Sequence, residues 1–404
     1  MPQTMLARQP IFDCKDRVHA YELLYRGPRS GVNGSTMTAS VLNKALNNLG
    51  LHSVADDKLI FVNFSRALLL SDLPGLLPPD KTVLEVLEDV PADAEVIDAL
   101  RHWKELGYTI ALDDMISING AHRALVPLAD IIKVDILDVQ DDLAELVAGL
   151  RRHPVSILAE KVETQEQYRQ CKSLGFDFFQ GYFFCKPSLM LNQHHLDTHK
   201  TQLMHILSQT FDADSPKELE HDIAHNMSLS YKLLCYINSA HIGLRSEIDS
   251  IGHALILLGM NKLRVWFTML LMSSISGNKP DALIILSFCR GRFLELLAEH
   301  RQEKQQGNDY FILGMFSLIE AMLDQSVEQA LESISLPTLV REGLLNEAST
   351  ASQRLGLLRA IENGEWDELE ERCRSDGLDE DAVSSIYAES IRWADERFAF
   401  LKSM

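Results

Sequence analysis

Short apolar runs in the first half of the chain end, one after another, in a carboxylate, an amide or a lysine. They are AYELLYR with Glu22, LIFVNFS with Asn63, TVLEVLED with Glu85 and Glu88, TIALDDM with Asp113 and Asp114, IIKVDIL with Lys133, SILAEKVET with Glu160 and Glu163, and FFQGYFF with Gln180. Successive ends lie roughly 20 to 40 residues apart, about one strand-plus-helix unit. Parallel strands that close into a barrel bring their C-terminal ends to one face. Residues distant in sequence then converge on one site. Because most of them are acidic, that site suits divalent cations better than anions.

The segments between these runs support this reading. DAEVIDALRHWKELG, QDDLAELVAGLRRH and TQEQYRQCKSLG repeat Leu, Ala and Val at helical spacing, as does TASVLNKALNNLGLHS, and several end in Gly. Alternating strands and helices predict a mainly parallel sheet with covering helices. With LARQPIFD included, the strand candidates number about eight. The expected fold is therefore α/β plus all-α: a (β/α)8-like, TIM-type barrel followed by a helical domain. A doubly wound open sheet is the competitor, but it gathers functional residues around one crevice and not from nearly every strand.

Strand signals nearly vanish after KPSLMLNQHHLDTHK, and helix follows helix to the end of the chain. SPKE and TQEQ have the form of helix starts. We expect a barrel over 1–190, a linker over 191–200 and a helical domain over 201–404. The chain has 404 residues, too many for one ordinary core. Its net charge of −20 argues against a nucleic-acid partner, and an anionic ligand would need cations or local Arg and Lys to offset repulsion. The six cysteines form no CxxC pattern and read as reduced thiols of a cytoplasmic protein. The N-terminus lacks a secretory apolar stretch, and VWFTMLLMSSIS is too short to span a bilayer, so no membrane span is expected and that segment reads as a buried helix.

These motifs stand in the order of a known family. Glu22-Leu23-Leu24-Tyr25-Arg26, VNFS, the ExxE of Glu85 and Glu88, the Asp113-Asp114 pair, KVD, AEKVET and QGYFFCKP together resemble the EAL domain, a cyclic-di-GMP phosphodiesterase fold, over roughly residues 5–190. The naming motif has Leu where the family has Ala. Residues 231–264, YKLLCYINSAHIGLRSEIDSIGHALILLGMNKLR, resemble an HDOD domain, a helical relative of HD phosphohydrolases without their metal site. His221-Asp222 is an HD dyad, but no further ordered set completes a metal site, and a plain amphipathic helix is the better reading.

The resemblance implies hydrolysis of cyclic di-GMP to linear pGpG with two divalent cations, Mg²⁺ or Mn²⁺, in bacterial signalling between motility and biofilm. It makes Glu22, Asn63, Glu85 and Asp113 ligands of one cation, with Asp113 bridging to a second that Asp114 and Glu160 help bind. Lys133 would hold the attacking water, Gln180 would orient water or ligand, and Glu88 and Glu163 would support the ligands from behind. Arg26 would contact phosphate, Leu23 would line the pocket near sugar and base, and Gln9 would meet a guanine edge. The implied partners are cyclic di-GMP, a second copy in a homodimer and an unidentified protein bound through the HDOD half.

A strand-end Glu or Asn met alone usually caps a helix or forms a surface pair. That reading cannot account for all these residue types in one order. One stretch departs from the family. After the Asp pair the family continues Phe-Gly-Thr-Gly-Tyr-Ser-Ser, a loop that supports metal binding; here the residues are Met115-Ile116-Ser117-Ile118-Asn119-Gly120-Ala121. Both early glycines are missing, so a turn needing positive φ must be made differently. The expectation is a reduced or differently regulated rate. Two alternatives remain: a receptor that binds cyclic di-GMP without cleaving it, for which the full ligand set is surplus, and a scaffold that does neither.

Overall fold

The computed structural model describes residues 5–26, 58–115, 121–139, 142–186, 198–239, 242, 247–277, 279–332 and 334–403. The expected helix in TASVLNKALNNLGLHS, the linker histidines His194 and His195, and Ile116–Gly120 of the departing loop lie outside these residues.

Eight strands close into a barrel in sequence order: β1 (Met5–Asp13), β2 (Val18–Arg26), β3 (Leu59–Phe64), β4 (Thr82–Val86), β5 (Thr109–Leu112), β6 (Ile131–Asp135), β7 (Ser156–Glu160) and β8 (Phe178–Gln180). Pairings from β2 through β8 are parallel, whereas β1 is antiparallel to both β2 and β8. The reversal follows from the short turn after β1. Asp13 accepts the backbone N–H groups of Lys15 and Arg17 through one carboxylate oxygen, making a tight hairpin. A parallel neighbour would need a long crossover.

Helices α1 (Ala94–Glu105), α2 (Leu143–Leu150) and α3 (Gln165–Leu174) cover the strands. Asp93 and Asp142 cap the first two by accepting from Val96 and Ala144. The expected start in TQEQ is a capping box between Thr164 and Gln167, and Gly175 ends that helix in the left-handed conformation. Each helix turns an apolar face inward: Val96, Leu100 and Trp103 from α1, Leu146, Val147 and Leu150 from α2. The burial of every residue of β4 and β6 follows from this cover.

Within the barrel, Ile11, Ala20, Phe61, Val83, Ala111, Ile131 and Leu158 form one apolar layer, with Phe178 packed against it. Successive strand residues point to opposite faces. The next lumen positions toward the C-terminal ends of the parallel strands are therefore set two residues on.

The described residues divide into two compact units: Met1–Lys186 with Pro280–Ala282 and Arg359–Ala388, and Pro187–Lys279 with Leu283–Leu358 and Glu389–Met404. The second is helical. Its long helix Ile251–Ile275 is kinked at Gly259, where φ is 70°. Trp266, Phe267, Met269, Leu270, Leu271 and Met272 of that helix are buried, as the reading of VWFTMLLMSSIS expects. Among the described residues this one helix is long and apolar enough to cross a membrane, and 56% of its most apolar window is buried within the protein. Asn238 of the HDOD-like segment clamps Ile248, accepting its N–H and donating to its carbonyl, each at 2.7 Å. His221 is exposed and pairs with adjacent Asp222 at 3.2 Å. No larger His-containing ligand group includes them among the described residues.

Candidate active site

Two residues beyond the apolar layer, every strand places a polar side chain: Gln9, Glu22, Asn63, Glu85, Asp113, Lys133, Glu160 and Gln180. On the antiparallel β1 the step runs backwards, from Ile11 to Gln9. Strand alternation thus converts eight separate sequence positions into one ring at the barrel mouth.

Lys133 is the hub, with a side chain only 1% exposed. Its ammonium lies 3.2 Å from Glu22, 3.0 Å from Asp113 and 2.8 Å from Glu160, and also pairs with Glu85. Burial opposes the Lys133 charge, but Glu160, Glu22, Glu85 and Asp113 outweigh it and hold its pKa well above the ordinary lysine value. The carboxylates respond unequally. Burial, with the nearby Glu22 charge, raises Glu85 well above the usual carboxylate range. Burial pushes Glu160 up to about 8, although Lys133 opposes the rise. Burial also works to raise Asp113, but the Lys133 charge and hydrogen bonds hold it low, whereas burial and the Asp113 charge raise Asp114.

Amides close the ring. Gln180 Nε2 donates to Glu22 at 2.6 Å and to Gln9 Oε1 at 3.0 Å, joining β8, β2 and β1. Gln9 Nε2 donates in turn to the carbonyl of Glu362, in the 359–388 segment that belongs to the same compact unit. Asn63 Nδ2 donates to Glu22 at 3.2 Å. Four ring oxygens are buried without a hydrogen-bond partner: Asn63 Oδ1, Glu85 Oε2, Glu160 Oε2 and Gln180 Oε1. Such atoms are costly unless something satisfies them. All are oxygens, the donor type hard divalent cations prefer, so the residues present fit such ions. At the edge of the ring, Asp113 joins Glu88 and Asp114 in bringing three ligand oxygens within 4.8 Å of one another. Asp114 is held at a φ of 44°, a costly conformation for a residue other than glycine.

Other expected site residues fall elsewhere. Glu163 is exposed and turns to Lys186 at 3.2 Å, outside the ring. Leu23 is 1% exposed. One step along the pleat from Glu22, it has the parity of the outer face of the barrel and does not share the lumen with Glu22. Leu24, the next residue and only partly buried, has the mouth-side parity. Strand alternation applied to ELL identifies it. Arg26 ends β2, and its side chain is outside the described residues. Lys161, which the sequence reading passed over, lies at the same mouth. Its ammonium pairs with Asp135, which is buried beside Glu160 in the β6–β7 register.

Two family models match the chain in the order of its barrel and helical parts. Residues 3–187 match the model of the EAL domain and residues 198–348 that of the HDOD domain. An uncharacterized Bacillus subtilis protein, YuxH, is 32% identical, the match covering 97% of this chain and 98% of that one. The cyclic di-GMP phosphodiesterase CdgJ of Vibrio cholerae is 31% identical over 98% of this chain and 93% of its own. Among solved structures, Bacillus subtilis YkuI, an EAL-domain protein in complex with cyclic di-GMP and calcium, is 18% identical with a TM-score of 0.40, covering 63% of this chain and 71% of that one. Near-full-length similarity of this kind, with both domain matches in the same order, means that the chain belongs to the EAL–HDOD family.

Proposed function

We propose that the barrel, taken as residues 1–190, hydrolyses cyclic di-GMP to linear pGpG with two divalent cations, Mg²⁺ or Mn²⁺. The helical part from 201 onward, joined through 191–200, serves as a regulatory or docking module. The observation that carries this reading is the eight-residue polar ring with its four partnerless oxygens. The full-length similarity to a cyclic di-GMP phosphodiesterase supports the substrate.

Glu22, Asn63, Glu85 and Asp113 would hold one cation. Asp113, with Asp114, Glu160 and the adjacent Glu88, would hold the second. When bound, the cations neutralise charge at phosphorus, activate water and stabilise the leaving oxygen.

The chain's own groups do the rest. Lys133, kept charged by four carboxylates, holds the attacking water by hydrogen bonds. Gln180, fixed to Glu22 and Gln9, sets the orientation of the water or of a phosphate oxygen. The water oxygen forms a bond to phosphorus and the P–O3′ bond breaks. The water's proton passes to the ring carboxylates and from there to the released 3′ oxygen, which leaves as a hydroxyl. This opens the ring to a chain with one 5′-phosphate. Leu24 flanks the base and sugar, and Arg26 contacts phosphate through its forked donors. Gln9 reads a guanine edge by exchanging its bond to Glu362. In the cell, lowering this messenger shifts bacteria toward motility and away from biofilm.

The test is turnover of cyclic di-GMP by the full chain with Mg²⁺, Mn²⁺ or Ca²⁺, with chromatography of the products. Metal-dependent pGpG that disappears in Glu22→Ala and Glu160→Gln is the expected result. Binding without product at high enzyme concentration overturns catalysis and leaves a receptor. Neither binding nor turnover leaves a scaffold.

A further inference from the structure

Lys161 occupies an uncomfortable place for a lysine. It follows Glu160 at the C-terminal end of β7 and has a φ of 54°, in the left-handed region. The neighbouring backbone gives it no escape. Val162 N donates to the Gln180 carbonyl at 3.0 Å, and Val162 O accepts from Phe183 N at 3.0 Å. Gly181 approaches so closely that a Cβ there would stand 2.2 Å from Val162 O. The turn is locked to β8, the strand that carries Gln180.

The side chain crosses to β6 and pairs with Asp135, whose carboxylate is 1% exposed. The other Asp135 oxygen accepts from Leu137 N at 2.9 Å. Asp135 therefore anchors the lysine. An ammonium has three hydrogens, and Asp135 engages one. The Lys161 side chain is 52% exposed, in contrast to the buried Lys133. Asp135 engages it, and Glu160, the residue before it in the chain, lies opposite Asp135 in the β6–β7 register. It is a solvent-reaching positive charge set among mouth carboxylates, where a doubly anionic substrate meets an acidic site.

We infer that Lys161 is a substrate-capture residue: anchored by Asp135, its ammonium takes a non-bridging oxygen of a cyclic di-GMP phosphodiester and so offsets the repulsion of the surrounding carboxylates. This rests on the hydrolase reading above for the identity of the substrate. A purely structural lysine would only neutralise Asp135, and the two roles separate by experiment.

Binding of cyclic di-GMP to the full chain with calcium is measured by calorimetry at low and high salt, with the thermal midpoint recorded for each variant. Lys161→Met weakens binding about three- to tenfold at low salt, and less at high salt. Lys161→Arg restores it. The double variant Asp135→Asn with Lys161→Met removes the uncompensated buried charge, so it regains thermal stability while its binding stays weak. The inference is overturned if Lys161→Met binds within about twofold of wild type at low salt. It is also overturned if the double variant recovers binding together with stability. A wild-type protein that binds no cyclic di-GMP overturns the substrate reading and this inference together. One that binds normally but yields no product with manganese overturns hydrolysis alone and leaves capture by Lys161 to the variant comparison.

Discussion

Asn63 donates its amide hydrogen to Glu22 at 3.2 Å, and its Oδ1 is left buried with no hydrogen-bond partner. The bond turns the amide nitrogen to Glu22 and leaves the oxygen as an open acceptor beside that carboxylate. Asn63→Ala removes the oxygen and the donor that steadies Glu22. We expect Mn²⁺ affinity to fall roughly ten- to hundredfold, read by calorimetry on the metal-free protein. A fall in turnover with unchanged metal affinity would separate Asn63 from the metal site.

Lys133 offsets four carboxylates at once. Lys133→Met keeps most of its volume and removes the cation that faces these carboxyl groups in a buried space. Breaking such a cluster costs about 3–5 kcal/mol, so the metal-free variant should melt well below wild type. Added Mn²⁺ should recover much of that stability by supplying positive charge. It should not recover kcat, because the group proposed to hold the water is gone. Thermal melts with and without Mn²⁺, run beside turnover, check both halves of the expectation.

Local pattern carried most of the barrel. Each apolar run announces a strand, and the polar residue at its end announces the mouth. The ring itself needs only strand alternation carried from Ile11, Ala20 and Phe61 to Gln9, Glu22 and Asn63. Where local pattern failed, a distant contact decided. FFQGYFF reads as one strand, but Gly181 takes a φ of 140° against Val162 and the strand stops at Gln180, giving way to a short helical turn of aromatic residues. The reversed β1 depends on a hairpin whose Asp13 contacts leave no mark on hydrophobic periodicity. Glu163 sits beside the Glu160 motif in sequence, yet it turns outward because the Thr164 cap draws the chain into α3. The 359–388 segment groups with the barrel although it is helical, like the segments before and after it in sequence.

Leu23 and Leu24 are adjacent and chemically identical, so their different surroundings can be tested directly. Leu23 is fully buried on the outer side of β2, and Leu23→Ala should cost about 2–5 kcal/mol of stability while leaving KM near that of wild type. Leu24 is partly exposed at the mouth. Leu24→Ala should destabilise less and raise KM for cyclic di-GMP, with a smaller effect on kcat. Denaturation curves and steady-state kinetics on the two variants decide the matter. A KM effect confined to Leu23→Ala would reverse the assignment.

The carboxylates proposed to bind metal also titrate, so the metal-free protein has a pH dependence of its own. Burial raises the folded-state pKa of Glu160 to about 8, above its ordinary value, and raises Glu85 in the same direction. A raised folded-state pKa contributes stability that is present below the unfolded pKa and lost as pH climbs through the folded value. Asp113, held low, acts oppositely, but its contribution is lost only under more acidic conditions. The thermal midpoint of the metal-free protein should therefore decline as pH rises from about 5 to about 8. Divalent cations need the deprotonated ligands, so the gain from added Mn²⁺ should grow over the same interval. Removing the metal with a chelator at pH 8 should then lower the midpoint more than it does at pH 5.5. Melts at both pH values, with and without chelator, measure the difference. An equal effect at both would mean that the buried carboxylates titrate independently of the ion they are proposed to hold.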